Sequence, residues 1–390
     1  MLHAAIDLGA TSGRIIIGGD ASPLLELYRF ETPVLRLASG IYWDFEKIFS
    51  HILTGLRLID RKKYPVCSVS CDSWAQDFGL VDASGGLTAP PFSYHDKGAA
   101  VSSLARLEYI ERNFPERLEK AKYLLHIADL VHFRLCGQAR GNRTLTGISG
   151  LPADHPLLAP AADCEIIGRI GCPELPNLAG LPVISGAGHD TAAAYAGSGV
   201  REGEILFSLG TWLMAAEPWP EERESSVDFR RLPLVRGAFA RTAGSMGLWP
   251  FQECVKIWKK RGCFPGYAAL DDAAEKSGVT DAVDPAAPEL FSPENMENAI
   301  FAMTGSTWSP AGITALLLRG VARRIRRTAE VFGHDFSRAV LVGGGAKSAF
   351  LCRLIAEELA CPLAVGEAEA AAAGNIEIQH QVLKEMPCGQ

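Results

Sequence analysis

The chain has 390 residues, 48% of them hydrophobic and 21% charged, an ordinary composition for a packed globular protein and long enough for two domains. A formal net charge of -7 excludes the basic excess that tracks phosphates along a nucleic acid. No window holds 18 consecutive apolar residues, and the start, MLHAAIDLGA, lacks a basic segment followed by an apolar one. Neither a membrane span nor a signal peptide is therefore expected, and the ten cysteines, none in a CxxC or zinc spacing, read as reduced thiols of a cytoplasmic protein.

In chain order, HAAIDLG and GRIIIGG predict two strands around a Gly/Thr/Ser turn. PVCSVSCDS and FGLVDASGG predict two more, the second closed by Ser-Gly-Gly. AAVSSLARLEYIERNF and LEKAKYLLHIADLVHFRLCG predict two helices, separated at Pro115 and ended at Gly137. GLPVISGAGHDTAAAYAG reads as a strand, a Gly-rich turn and a small-residue helix. The opening pattern then recurs, because GEILFSLGTWLMAAE is again strand, Leu-Gly-Thr turn, strand. This implies a weak internal duplication, with domains at 1–198 and 199–390, and EPWPEERESSVD as an exposed loop. Residues 313–332 place Ile313, Leu317, Val321, Ile325 and Ala329 on one helical face. The arginines at 323, 324, 326 and 327 fall mostly opposite, as a solvated face would. AVLVGGGAKSAFLCRLIAEELACPLAVG reads as strand, triple glycine, helix, strand.

Five stretches could carry chemistry. Phosphate binding needs converging backbone N–H groups, and glycine permits that turn. DLGATSGR offers it with Gly9, the Thr11 and Ser12 hydroxyls and the Arg14 cation; SLGTW offers it with Gly210 and Thr211. A structural hairpin would explain either one alone, and neither is a Walker A loop or a GxGxxG fingerprint. A pair, one opening each half, suits a nucleotide polyphosphate, with Asp7 at a strand end to help hold Mg²⁺. GHDTAAA sets Asp190 before a helix, as an N-cap or as a general base. VGGGAKS could admit a ligand at a helix N-terminus, or the glycines could serve tight packing. CDSWAQDF gathers Asp72, Trp74, Gln76 and Asp77 at a strand end, as a sugar site or as an ordinary terminus.

AIDLGATSGR, DSWAQDFGLVD, GHDTAAA, SLGTW, GSMGLW, FSPENM and VLVGGGAKSAFLCRLIAEELACPLAVGEAEAAAAGNI, in this order, resemble the FGGY family of carbohydrate kinases. The MGLW and DxW runs resemble its L-rhamnulose-phosphorylating branch. The resemblance implies an α/β fold of two ribonuclease-H-like (actin-like ATPase) domains with a cleft between them, a sugar-binding first domain and a nucleotide-binding second one. It implies ATP-dependent phosphorylation of a ketose, first L-rhamnulose to L-rhamnulose 1-phosphate. The alternatives are another ketose or polyol (L-fuculose, xylulose, glycerol) or a non-catalytic nucleotide- and sugar-binding homologue. By the same resemblance Asp190 is the general base and Asp7 serves Mg²⁺. Gly9, Thr11, Ser12, Arg14, Gly210 and Thr211 contact phosphates. Gly344, Gly345 and Asn375 lie near the adenosine and α-phosphate. Asp72, Trp74, Gln76 and His189 face the sugar. The implied partners are a small sugar and ATP, with no nucleic acid or membrane, and homodimerisation is left open. The chain is shorter than usual members, notably between SYHDKG and YLLHIADL, and has Gly98 where the family's aromatic-x-Asp-x-Arg pattern sets arginine.

Overall fold

In the computed structural model, residues 1–19, 22–96, 102–219 and 229–385 are described. Two compact units emerge: Met1–Gly197 with Leu232–Phe239 and Ala371–Gln390, and Ser198–Arg231 with Ala240–Ala370. Against the expected division at 198/199, two later segments join the first unit. The physical reason is burial. Ala372 and Ile376, on the last helix Ala370–Glu385, pack on Ala5 and Ile16 of the first sheet.

That sheet runs in the order Glu165–Arg169, Pro182–Ser185, Val66–Ser73, Leu2–Leu8, Ser12–Gly19, Ser22–Glu31. Leu2–Leu8 pairs antiparallel with Ser12–Gly19 and parallel with Val66–Ser73. Its apolar residues are buried on both faces, which is why they run continuously instead of alternating. Ala4, Ile6 and Leu8 meet Phe45, Ile48, Ile52 and Leu56 of the helix Phe45–Arg57. Those four recur at helical spacing, so one stripe of the helix is apolar. Asp44 caps this helix by accepting the Lys47 N–H at 3.1 Å.

The second predicted helix of this unit is only partly one. Residues Pro115–Glu119 and Ile127–Cys136 are helical, but Ala121–His126 is a strand paired antiparallel with Phe78–Asp82. A short apolar run fits either state, and here a waiting ladder of backbone groups decides it. The helix end at Gly137 is as expected, with φ 73°. The preceding helix spans Ser103–Asn113; residues 97–101 lie outside the described ones.

In the second unit Glu204–Leu209 pairs antiparallel with Trp212–Pro218 and parallel with Arg338–Val342. This repeats the hairpin-then-parallel pattern of the first. Arg338–Val342, a 3-10 turn Gly344–Lys347, the helix Ala349–Glu358 and a parallel strand Leu363–Val365 form the anticipated βαβ unit. The helix Pro310–Glu330 buries Ile313, Leu317, Val321 and Ile325. Arg324 and Arg327 pair with Asp284, and Arg326 pairs with Glu330. Most of the EPWPEERESSVD stretch, residues 220–228, lies outside the described residues. The nine described cysteines are free thiols, and no described helix is long and apolar enough to cross a membrane.

Candidate active site

The first hairpin sets three charged residues in register. Asp7 lies opposite Arg14 on one side and beside Asp72 on the other. Arg14 Nε donates to Asp7 Oδ2 at 2.8 Å, and Asp7 is buried. In the turn, the Gly9 N–H donates to the Ser12 carbonyl at 3.0 Å, and Thr11 stands exposed at the tip.

The end of the strand carrying Asp72 pairs with the GHD turn that follows Pro182–Ser185. The Ser73 N–H donates to the Gly188 carbonyl at 2.8 Å, and Ser73 bridges His189. Asp72, Asp7 and Asp190, far apart in sequence, thereby share one sheet end. Asp72 is wholly buried, with Oδ2 accepting from Asn375 Nδ2 at 2.7 Å and Oδ1 without a partner. Burial, then the Asp7 charge, push its carboxyl well above the usual carboxylate range, and the Asn375 bond only partly offsets this.

Asp190 opens the helix Asp190–Ser198, and its side chain is 38% exposed. Its Oδ1 accepts the Thr191 N–H at 2.6 Å and the Thr191 hydroxyl at 3.2 Å, and His189 Nε2 stands 3.3 Å away. All of these fall on one oxygen, so the other is left to accept a proton from a substrate. Burial lowers the His189 pKa, with His126 adding to the effect and Asp190 opposing it, so the ring is held neutral.

Of the expected sugar-facing residues, Asp72 is wholly buried, as described above, and Trp74 and Gln76 spend their polar atoms inside the unit. Trp74 is 4% exposed, lies tilted against Trp43 with ring centroids 4.3 Å apart, and donates its indole N–H to Asp77 at 3.0 Å. Gln76, at φ 75°, uses its amide within the unit: Nε2 donates to the Ile148 carbonyl at 3.1 Å, and Oε1 accepts the Ser103 N–H at 3.0 Å. Polar residues at a strand end signal a site only if their donors stay free, and here they knit loops together. Asn375, expected near the adenosine, also has its amide engaged. It is wholly buried, and its amide bonds Asp72 and both backbone groups of Ala187.

Sequence reading misses Arg106. It is buried against Phe92, 5.2 Å from the ring, and its charge faces Asp77 and Asp96. Gly98, at the expected arginine position, lies outside the described residues, and Arg106 lies on the helix Ser103–Asn113 that follows. No spacing rule could have found it.

In the second unit the SLGTW turn and the triple glycine pack together. A Cβ at Gly343, where φ is 88°, would sit 2.8 Å from the Leu209 carbonyl, and one at Gly345 would sit 2.5 Å from the Leu209 side chain. The fold itself requires those two glycines. Gly210 and Gly344 differ: a Cβ there would meet nothing within 4 Å, and neither has positive φ. Glycine at these two positions leaves room for a ligand to approach the backbone. Thr211 Oγ1 donates to Gln252 Oε1 at 2.9 Å, a partner not anticipated from sequence. The helix N-terminus after the glycines is not open to an anion, because Asp271 occupies it. Its carboxylate accepts the Ser348 hydroxyl and, at 3.1 Å, the Phe350 N–H. Any phosphate here must use the glycine turn.

Asp7 and Asp72 supply hard oxygen donors of the kind Mg²⁺ takes, and a cation would satisfy the unpartnered Asp72 Oδ1. No group of three or more metal-ligating side chains occurs among the described residues, so other ligands would be phosphate oxygens and water.

Residues 206–380 match the FGGY family of carbohydrate kinases, C-terminal domain. The chain is 26% identical to rhamnulokinase from Bacteroides thetaiotaomicron over 98% of its length and 90% of the relative's. It is 24% identical to rhamnulokinase from Oceanobacillus iheyensis over 98% and 94%. The first alignment spans 442 positions against 390 residues here, so that relative carries segments this chain lacks. Similar solved folds include a xylulose kinase from Rhodospirillum rubrum, with TM-score 0.72, 16% identity, and coverage of 100% of this chain and 91% of that one. Another is a Plasmodium falciparum glycerol kinase with ADP, with TM-score 0.76, 12% identity, and coverage of 99% and 90%. These structures share the fold of two ribonuclease-H-like domains.

Proposed function

We propose that the chain, whose residues 206–380 match the C-terminal domain of the FGGY carbohydrate kinases and which is similar to rhamnulokinases over most of its length, transfers the γ-phosphoryl group of ATP to a hydroxyl of a ketose, with L-rhamnulose the first candidate. The observation that carries the assignment of Asp190 as general base is its asymmetry. Oδ1 is occupied by Thr191 and faced by His189, while Oδ2 takes none of these contacts and more than a third of the side chain reaches solvent.

Phosphoryl transfer passes through a loose transition state, so the protein mainly orients the acceptor and steadies charge. Asp190 Oδ2 takes the proton as the sugar oxygen bonds to phosphorus and the β–γ bridge breaks toward ADP. Arg14, held by Asp7, offers a cation to the transferred group, and the Thr11 and Ser12 hydroxyls and Gly9 amide line its turn. Gly210, Thr211 and Gly344 approach the nucleotide phosphates, while Gly345 shapes that turn from beneath. Asp7, with Asp72 beside it, would hold Mg²⁺, which would supply charge neutralisation there. The neutral His189 ring flanks the acceptor. The geometry does not support direct sugar contact by Trp74 or Gln76, whose polar atoms are used inside the unit.

The test is coupled ADP release with Mg-ATP against L-rhamnulose, L-fuculose, xylulose and glycerol. Release driven by one sugar supports the proposal and names the substrate. ATP binding with no release on any of them overturns it in favour of a non-catalytic homologue.

A further inference from the structure

Asp190 sits on a turn that contains three glycines or alanines in a row before His189, GAGHD, and such a turn has little stiffness of its own. Something must hold it, because a base displaced by an ångström loses on the order of a hundredfold in rate. The structure places a polar clamp beneath it that neither the motif nor the family likeness assigns. We propose that Asn142 and Thr144 are positioning residues for Asp190, acting through the backbone of residues 186–189; this rests on the reading of Asp190 as the base.

Both are buried. The Asn142 side chain donates Nδ2 to the Gly186 carbonyl at 2.7 Å and to Ser185 Oγ at 2.8 Å. Its Oδ1 accepts the Thr144 N–H at 2.9 Å and the Thr144 hydroxyl at 2.6 Å. The Thr144 hydroxyl, having donated its proton to Asn142, accepts the His189 N–H at 3.0 Å. Between these two anchor points the chain passes at Gly188, where a Cβ would lie 2.7 Å from Asn142 Cγ. The turn is therefore pinned at Gly186, pressed at Gly188 and pinned again at His189, directly before Asp190. Asn142 is itself fixed, since Asp129 Oδ1 accepts its N–H at 3.0 Å.

The hydroxyl of Thr144 both donates to Asn142 and accepts from His189, so removing it breaks the clamp without touching any reacting group. The experiment uses the full chain as wild type, Thr144→Ala, the volume-keeping Thr144→Val, Thr144→Ser and Asp190→Asn. Two readouts are taken: hydrogen–deuterium exchange of the peptide spanning residues 186–195, and kcat and KM with Mg-ATP and the ketose that wild type accepts. For Thr144→Ala and Thr144→Val the expected result is exchange at the His189 amide faster by roughly tenfold. With it comes a kcat drop of about 10–100-fold and an unchanged KM for ATP. Thr144→Ser, which restores the hydroxyl, returns both toward wild type. Wild-type exchange, or wild-type kcat, in a folded Thr144→Ala or Thr144→Val protein overturns the proposal. Retained turnover in Asp190→Asn instead overturns the base assignment, and the exchange readout, which needs no turnover, still decides whether the clamp holds the turn.

Discussion

Asn375 and Asp72 are 303 residues apart and joined by a 2.7 Å hydrogen bond from Nδ2 to Oδ2, both side chains wholly buried. The same amide accepts the Ala187 N–H at 3.0 Å and donates to its carbonyl at 3.1 Å. One side chain of the last helix thus serves both the Asp72 strand and the turn leading to Asp190. Asn375→Ala leaves three buried polar groups short of a partner, at about 1–3 kcal/mol each. Urea denaturation of the full chain is expected to show a loss of several kcal/mol for the first unit. A midpoint unmoved from wild type would show that the bond is not a stabilising one.

Asp190→Asn keeps the size and the contact to Thr191 but cannot accept a proton from a sugar. The expected outcome is a fall in kcat on the order of 10²–10⁴-fold, with ATP affinity by calorimetry and melting temperature near wild type. A melting temperature that falls with activity would point instead to a structural role in starting the helix.

The four glycines Gly210, Gly343, Gly344 and Gly345 separate into two pairs with opposite expected phenotypes. Gly343→Ala and Gly345→Ala force a Cβ within 2.8 Å of Leu209 atoms and should lower thermal stability. Gly210→Ala and Gly344→Ala place the Cβ in open space at compatible φ, so stability should stay within about 0.5 kcal/mol. Affinity for ATP should nonetheless fall, read by calorimetry. Unchanged ATP binding in Gly210→Ala and Gly344→Ala would remove both from the nucleotide site.

Asp77 gives a pH dependence. Burial raises its pKa from 3.8 to about 6, and the indole N–H of Trp43 is the largest opposing influence. A carboxyl raised on folding binds more protons folded than unfolded. Its contribution is therefore fully present below pH 3.8 and is lost as pH rises through about 6. A rise of that size corresponds to about 3 kcal/mol. Asp77→Asn should remove this dependence, so that its stability relative to wild type improves by up to that amount from pH 4 to pH 7 in urea titrations. A pH-independent difference between the two proteins would refute it.

The parts of this protein legible in the sequence are those set by near neighbours. Alternating and continuous apolar runs mark the strands of both sheets, since burial on one or two faces dictates their pattern. Glycines and small hydroxyls around residues 9–12 and 210–211 mark turns because few other residues make them. The run LEKAKYLLHIADL reads as one helix for the same reason in reverse. Its local pattern permits a helix, and only the Phe78–Asp82 partner strand makes Ala121–His126 extended.

What a side chain does at the site was decided by tertiary structure. Whether Trp74 and Gln76 meet a sugar or the interior depends on where Trp43, Asp77, Ser103 and Ile148 fold, and a local pattern of residues does not fix that. Arg106 facing Asp96, Asp271 closing the helix after the glycines, and Thr144 holding the His189 backbone are pairings across 10, 79 and 45 positions. The sequence alone determined the opening strand–turn–strand unit of each half and the carboxylates available, because those follow from local sterics and solvation. Which carboxylate is buried, which is paired and which keeps a free oxygen was decided only when distant segments packed, because desolvation and hydrogen bonding act through space and not along the chain.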